Sequence, residues 1–273
     1  MNILISVDME GIAGVVFPAH TSDTHPEYQR FRRLMTAEVN AAIEGALAGG
    51  ANRIVVNDSH ALQTNLLIEE LNPAVELISG VPKPHAMLQG IGPTVDAVFL
   101  IGYHARAGTR AGILAHSFVG AVAELYLNDQ LIGETGLNAA LAGAFGVPVV
   151  LVTGDRTVTE EAHALLGDIE TVAVKEGITG TAAQCLTPRT AHERIRKAAE
   201  RAVRLQVSPY VLSKPIALRV SFKDAIHADL AAMVPGSRRA NGCTVEWTGE
   251  DMPAVYQAFQ AMTLLSMLTK FLE

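Results

Sequence analysis

Five side chains that can bind metal ions follow apolar segments of this chain. Asp8 and Glu10 come one residue apart after the apolar run at 2–7, and His60 and His104 follow the runs at 53–56 and 96–101. Alternate residues of an extended segment point the same way, so the Asp8 and Glu10 carboxylates can converge on one point. Converging anions need a cation between them, which predicts a metal site. For this pair alone, a strand that ends in a polar turn explains the sequence equally well.

Glu134, at the start of a predicted helix, completes a set of three carboxylates and two imidazoles without a thiolate. This combination is typical of Zn²⁺, Mn²⁺ or Co²⁺ sites. A single catalytic zinc usually takes three protein ligands and a water, so five ligands favour two metals ~3.5–4 Å apart with a bridging carboxylate. Asp8, at the strand end, is the expected bridge. His60 alone would be interpreted as a structural histidine; the shared position of all five residues supports the prediction.

Other polar residues near this set allow two interpretations each. His116, in the segment 112–118, could move protons beside a metal or act as a nucleophile, or could be an ordinary loop histidine. Residues 57–59 could orient the ligand imidazoles or form only a polar turn. Arg106 and Arg110 could bind a substrate carboxylate or pair with surface acids.

The elements that must position these residues alternate between strands and helices. This alternation predicts an α/β fold with a mainly parallel sheet flanked by helices, and parallel strands of such a sheet carry ligand groups beyond their carboxyl ends. We expect residues 1–185 to form the metal-binding catalytic domain and residues 186–273 a smaller C-terminal α+β subdomain, packed as one unit with the first. Predicted strands lie at 2–7, 53–56, 75–78, 96–101, 147–152, 216–222 and 244–248, a hairpin at 124–132, and helices at 31–47, 66–71, 134–145, 188–204, 225–232 and 252–272.

Composition narrows the class of protein. The 273 residues carry a formal net charge of −7, which argues against nucleic acid or an anionic membrane surface as partner. No apolar run approaches the ~20 residues of a spanning helix, and the N-terminus lacks the basic segment of a signal peptide, so we expect a cytoplasmic location. Cys185 and Cys243 are isolated, which predicts neither a disulfide framework nor a structural zinc site. A mean hydropathy of +0.25 favours a homo-oligomer.

Together, the segments that hold these residues resemble the zinc-dependent D-aminopeptidases of the DppA family. The resemblance covers nearly the whole chain and includes Ser-Val-Asp-Met-Glu-Gly at 6–11, Val-Asn-Asp-Ser-His at 56–60, Gly-Tyr-His-Ala-Arg at 102–106, His-Ser at 116–117 and Gly-Glu-x-Gly-Leu-Asn at 133–138. It implies two zinc ions held at Asp8, Glu10, His60, His104 and Glu134, with the aspartate bridging, a catalytic role for His116, and a homodecamer.

The resemblance also implies the reaction, which is hydrolysis of an N-terminal D-amino acid from a short peptide such as D-Ala-D-Ala. Two alternatives remain open at this point. One is a dinuclear metal hydrolase of another amide or ester bond, and the other is a non-catalytic peptide-binding module. An oxidoreductase is disfavoured because no G-x-G-x-x-G follows the first strand.

Overall fold

Two sheets and six α-helices form the chain in the computed structural model, which describes residues 1–271. The strands are β1 (Asn2–Val7), β2 (Arg53–Asp58), β3 (Val75–Ile78), β4 (Ala97–Tyr103), β5 (Val122–Leu127), β6 (Gln130–Ile132), β7 (Val149–Asp155), β8 (Glu170–Thr179), β9 (Ala182–Cys185), β10 (Ile216–Phe222), β11 (Arg238–Arg239) and β12 (Thr244–Gly249). The helices are α1 (Tyr28–Gly49), α2 (Glu134–Ala144), α3 (Arg156–Leu166), α4 (Pro188–Ala202), α5 (Ala225–Ala231) and α6 (Met252–Ser266).

The larger sheet has the strand order β3-β2-β1-β4-β7-β8-β9 and is parallel except for β9. Strands β1, β4 and β7 are buried along nearly their whole length, as expected where helices cover both faces of a parallel sheet. The chain moves outward from β1 through β2 to β3, and then in the opposite direction from β4. The order therefore reverses between β1 and β4, and ligands of open α/β sheets bind at such a reversal.

Helices α1 and α4 share one apolar core with the sheet. Buried residues of both helices, among them Phe31, Val39, Ile195 and Ala199, belong to the cluster that also holds Ile5 of β1. The opposite face of the sheet packs against α2, α6 and the antiparallel second sheet, whose order is β11-β12-β10-β5-β6. The α/β class with a mainly parallel sheet is thus confirmed.

Several details differ from the sequence-based expectation. We assigned no element between residues 155 and 185, where the structure has α3, β8 and β9. The segment predicted as a helix at 66–71 is only a 3-10 turn at Ile68–Glu70. The C-terminal helix, predicted at 252–272, ends at Ser266 and continues as a 3-10 segment, Met267–Phe271, while Leu272 lies outside the described residues.

Sheet membership does not follow a boundary at residue 185. The hairpin β5–β6 pairs with β10 and so belongs to the second sheet, whereas α4 packs on α1 beside the first. The proposed division into 1–185 and 186–273 stays a prediction about which parts fold as units. No helix within residues 1–271 is long and apolar enough to cross a membrane.

Candidate metal centre

The fold brings the five predicted ligands together at the reversal of strand order. Asp8 and Glu10 follow β1, His60 follows β2, His104 follows β4, and Glu134 is the first residue of α2. All five side chains are buried. The first turn of a helix favours a negative charge, so the position of Glu134 stabilises its carboxylate.

Asp8 lies at the centre of this cluster, with each carboxylate oxygen directed to a different histidine. Oδ1 of Asp8 is 3.4 Å from Nδ1 of His60, and Oδ2 is 3.4 Å from Nε2 of His104. Glu10 Oε2 lies 3.0 Å from the same His60 nitrogen, and Glu134 Oε1 lies 3.4 Å from the same His104 nitrogen. The cluster therefore has two halves, one around each imidazole, that share Asp8.

Backbone carbonyl groups orient both imidazoles toward the carboxylates. His60 Nε2 is 3.1 Å from the carbonyl oxygen of Thr21, and His104 Nδ1 is 3.0 Å from that of Ala105. In the neutral form of each ring, the nitrogen that faces the carbonyl carries the proton, and the lone pair of the other nitrogen faces the cluster. Metal-binding histidines are typically oriented by a hydrogen bond of this kind.

Two buried atoms of the cluster have no hydrogen-bond partner among the described residues. They are Oε2 of Glu10 and Nε2 of His104, whose contacts at 3.0–3.4 Å lack hydrogen-bond alignment. A buried polar atom without a partner costs free energy, and a bound cation removes that cost. The unpartnered atoms and the oxygen and nitrogen donors together fit Zn²⁺, with Mn²⁺ or Co²⁺ as chemically acceptable substitutes.

The protonation tendencies of the cluster indicate a deficit of positive charge. Burial and the nearby Glu10 carboxylate raise the pKa of Asp8 to about 7. Burial would lower the pKa of His60 and His104, but the surrounding carboxylates outweigh it and raise both pKa values well above the usual range. Three buried carboxylates thus favour additional positive charge between them, which is what divalent cations supply.

His116 borders the cluster and is more accessible than the five predicted ligands. Its ring stacks on His104 with centroids 4.2 Å apart, and its Nε2 lies 3.8 Å from Glu134 Oε1. Nδ1 contacts the carbonyl oxygen of Leu114 at 2.8 Å, so the free nitrogen faces the site. The side chain is 28% exposed, which is suitable for a group that exchanges protons with a substrate. His116 also forms a compact cluster with His104 and Glu134, so its geometry permits a ligand role as well.

A buried lysine holds the loop that carries Glu10. Lys175 of β8 donates hydrogen bonds to the backbone oxygens of Glu10, Ile12 and Val15, the second at 2.9 Å. Glu38 of α1 accepts from the Ala13 amide at 2.7 Å. Sequence reasoning missed both supporting residues, because a lysine in a strand and a glutamate in a helix give no signal until the fold brings them under one loop.

Residues 57–59 support the site without touching its imidazoles. Asp58 accepts hydrogen bonds from the amides of Asn65 and Leu66 at 2.5 and 2.7 Å, and the Asn65 side chain donates to the His60 carbonyl at 2.7 Å. Asp58 therefore fixes the turn that follows His60. Asp58 thus acts on the backbone that carries His60 and not on the imidazole ring, and it does more than form a polar turn.

A second hydrogen-bond network runs under β1 and β4. The Tyr103 hydroxyl contacts Ser6 Oγ at 2.7 Å and the Asn138 side chain at 3.0 Å, and Tyr256 of α6 donates to Asn138 at 2.9 Å. The Tyr103 carbonyl is enclosed by two glycines: a Cβ on Gly11 or on Gly154 would lie 1.9 Å from its oxygen. Close packing on both sides of this carbonyl fixes the residue that precedes His104.

The cluster opens into a cavity of about 680 Å³. Asp8, Glu10, His60, His116 and Glu134 lie on its inner wall, and α6 and the 3-10 segment after it contribute a side wall. The C-terminal part of the chain thus contributes to the cavity wall through Gln260, Thr263, Leu264 and Met267. Met252 and Met262 of α6 are buried in the core, whereas Met267, which follows α6, lines this cavity. The lining is mainly apolar and includes Leu62, Val81, Pro82, Phe118, Val119 and Leu264.

Arg106 and Arg110, the predicted substrate-binding residues, are not among the residues that line this cavity. The nearest carboxylate contact of Arg106 is Glu161, with Nε and Oε1 3.9 Å apart, and the Glu161 side chain also accepts from the Arg106 amide at 3.2 Å. This position matches the alternative in which Arg106 pairs with an acid. The cavity contains a different cation, Lys83.

Comparison with known proteins agrees with this geometry. The profile of a family described as D-aminopeptidase matches residues 1–261. A D-aminopeptidase of Bacillus subtilis (strain 168) is 37% identical over 99% of this chain and 100% of its own length. A solved structure of the zinc-dependent D-aminopeptidase DppA from Bacillus subtilis, described as a self-compartmentalizing protease, superposes with a TM-score of 0.96 at 37% identity and 98% coverage of both chains. The chain therefore belongs to the D-aminopeptidase family, a family of enzymes.

Proposed function

We propose that this protein removes N-terminal D-amino acids from short peptides of the D-Ala-D-Ala type and uses two Zn²⁺ ions per subunit. Asp8, Glu10, His60, His104 and Glu134 hold the ions in this proposal. The observation that carries it is the division of the Asp8 carboxylate between two histidines, one 3.4 Å from each oxygen. A carboxylate placed in this way is suited to bridge two metals, with Glu10 and Glu134 as the terminal acidic ligands.

Two divalent ions, when bound, supply Lewis acidity that polarises a carbonyl group and acidifies water. The protein residues position the substrate and transfer protons. The free amino group of a peptide would bind at this metal centre, beside Asp8 and Glu10, which favours exopeptidase over endopeptidase action. His116 Nε2 faces the same space and is accessible. We therefore propose that His116 delivers the proton that the leaving amine or the developing oxyanion takes up.

The preference for D-residues is supported by membership of the family and by the names of its characterised members. Paired D- and L-alanine dipeptides test it directly. We expect turnover of the D,D form and little turnover of the L,L form by the zinc-loaded protein. Equal turnover of both would contradict the stereospecific part of the proposal while leaving aminopeptidase action intact.

Metal analysis of two variants tests the assignment of the site. His104→Ala is expected to lose metal from at least one position, because His104 lies at the junction of Asp8 and Glu134. His116→Ala is expected to retain both metals and lose most turnover. His163→Ala, at an exposed position on α3, is the matched control for the loss of an imidazole. Full metal content in His104→Ala would refute its role as ligand, and loss of metal in His116→Ala would make that residue a ligand.

The two alternative functions have distinct outcomes in the same assays. A dinuclear hydrolase of another bond would hold two metals but cleave N-acetylated peptides or esters as well as free dipeptides. A peptide-binding module would bind dipeptides and show no turnover after zinc or manganese is added. The buried ligand cluster at the base of an open cavity favours a hydrolase over a binding module.

We further propose that the chain assembles into a homodecamer and acts in the cytoplasm. The self-compartmentalizing relative supports an assembly, and so do exposed large apolar side chains such as Ile178 and Met233. Light scattering after size-exclusion chromatography should give about ten times the 29.0 kDa subunit mass. A monomer or dimer at micromolar concentration would contradict the decamer.

A further inference from the structure

Lys83 lines the cavity that holds the metal ligands. Among the described residues that line this cavity, it is the one lysine or arginine, and the acidic lining residues are the metal ligands Asp8, Glu10 and Glu134. Lys83 stands between Pro82 and Pro84. Because a proline ring fixes φ, this short segment has little conformational freedom and presents the lysine from a stiff backbone.

Two hydrogen bonds fix the ammonium group of Lys83. Its Nζ donates to the Asn57 side-chain oxygen at 2.7 Å and to the Asp58 carbonyl oxygen at 2.7 Å. A lysine has three N–H donors, so one remains for another acceptor. The salt bridges formed within residues 1–271 do not include Lys83. The group is therefore a positioned, half-buried cation whose charge is not neutralised by a paired carboxylate.

A short peptide brings two opposite charges into this cavity. In the proposed aminopeptidase reaction its amino end lies at the metal centre, so its C-terminal carboxylate lies at the other end of the peptide, away from the metal ligands. The carboxylate end needs a fixed cation at another point of the wall. Lys83 meets this requirement, and Arg106 and Arg110 do not, because they lie outside the cavity lining.

We propose that the Lys83 ammonium binds the C-terminal carboxylate of the peptide substrate and thereby selects for short peptides with a free C-terminus. The inference rests on the proposed aminopeptidase function. A charge-assisted hydrogen bond to a fixed cation is expected to favour the free acid over the neutral amide by about 10- to 100-fold in kcat/KM. The effect acts mainly through KM, because the carboxylate lies away from the scissile bond.

The test compares D-alanyl-D-alanine with D-alanyl-D-alanine amide as substrates of the zinc-loaded protein. We expect the wild type to prefer the acid, and Lys83→Met to lose that preference because kcat/KM falls far more for the acid than for the amide. Lys223→Met removes an exposed lysine after β10 and is the control for net charge. It is expected to keep the wild-type acid-to-amide ratio.

The ratio separates a binding role from a structural one. If Lys83 only supports Asn57 and Asp58 beneath His60, both substrates lose activity in parallel and the ratio stays at the wild-type value, which overturns the proposal. Equal rates for acid and amide in the wild type would also overturn it, without any variant. Failure of the wild type to hydrolyse either substrate contradicts the aminopeptidase function itself, so the two failures are distinguishable.

Discussion

Replacement of Glu38 by glutamine isolates the electrostatic cost of a carboxyl buried beneath the metal-site loop. Glu38 is 1% exposed, its Oε1 accepts from the Ala13 amide at 2.7 Å, and its Oε2 has no partner among the described residues. Glutamine has nearly the same shape and keeps an acceptor for Ala13. It cannot ionise, so the substitution removes the titration of this position and little else.

The magnitude follows from the pKa of Glu38. Burial raises this pKa from 4.5 to about 7, against smaller opposing effects of the Ala13 hydrogen bond and of Lys175. A folded-state pKa above the unfolded value contributes stability that is fully present below the unfolded pKa and is lost as pH rises through the folded pKa. The full contribution is about 3 kcal/mol, of which about 2 kcal/mol is lost between about pH 5.5 and pH 8.

The assay is urea denaturation of the wild type and Glu38→Gln at these two pH values, with the same zinc concentration and protein concentration in every sample. The quantity of interest is the free energy of unfolding of the variant minus that of the wild type. Effects of pH on metal binding and assembly are common to both proteins and cancel in this difference. We expect the difference to rise by about 2 kcal/mol in favour of the glutamine variant as pH increases.

A pH-independent difference would refute this reasoning. It would mean that Glu38 titrates normally in the folded protein, and that its side chain is better solvated or better paired with Lys175 than the structure indicates. A difference that changes in the opposite direction would mean that the ionised form is the stabilised one. Zinc content measured in parallel shows whether the loop below Glu10 keeps its position in the variant.

Two further substitutions probe backbone positions beside the ligands. Asp58→Ala leaves the buried amides of the 65–66 turn without their acceptor. We expect the free energy of unfolding, measured by denaturation, to fall by about 3 kcal/mol, and zinc affinity, measured by titration, to fall about tenfold. Unchanged zinc affinity would contradict a role of Asp58 in positioning the ligand loop. Gly154→Ala places a Cβ 1.9 Å from the Tyr103 oxygen, and a destabilisation of about 3 kcal/mol is expected. Gly92→Ala, where nothing lies within 4 Å, is its control and should change stability little.

Local patterns predicted much of the fold and the proximity of the five candidate metal ligands. Apolar runs that end in Asp8, His60 and His104 identified strand ends, and parallel strands of an α/β sheet place such ends at one edge. The position of Glu134 at a helix start came from the turn that precedes it. These predictions depend on short-range periodicity and on one rule of topology, so they needed no knowledge of long-range packing.

Residues that act through long-range packing could not be predicted in this way. Lys175 lies in β8, where the sequence analysis assigned no element, and its partners are more than 150 residues away. Lys83 follows a proline in a segment that reads only as a loop, and the contribution of α6 to the cavity wall depends on how the two sheets pack. Arg106 follows His104 closely in sequence but is not among the residues that line the cavity, so its substrate-binding role stays a prediction.

The three hydrogen bonds from Lys175 to backbone carbonyl oxygens have a consequence for metal binding at the proposed site. The Lys175 ammonium group draws together the backbone oxygens of residues 10, 12 and 15. In small zinc-dependent domains much of the binding free energy goes into ordering the chain, which couples metal uptake to folding. Here the side chain of Lys175 already orders the chain around Glu10. We therefore expect the affinity of the proposed metal site to depend on its ligands more than on the entropy of ordering this loop.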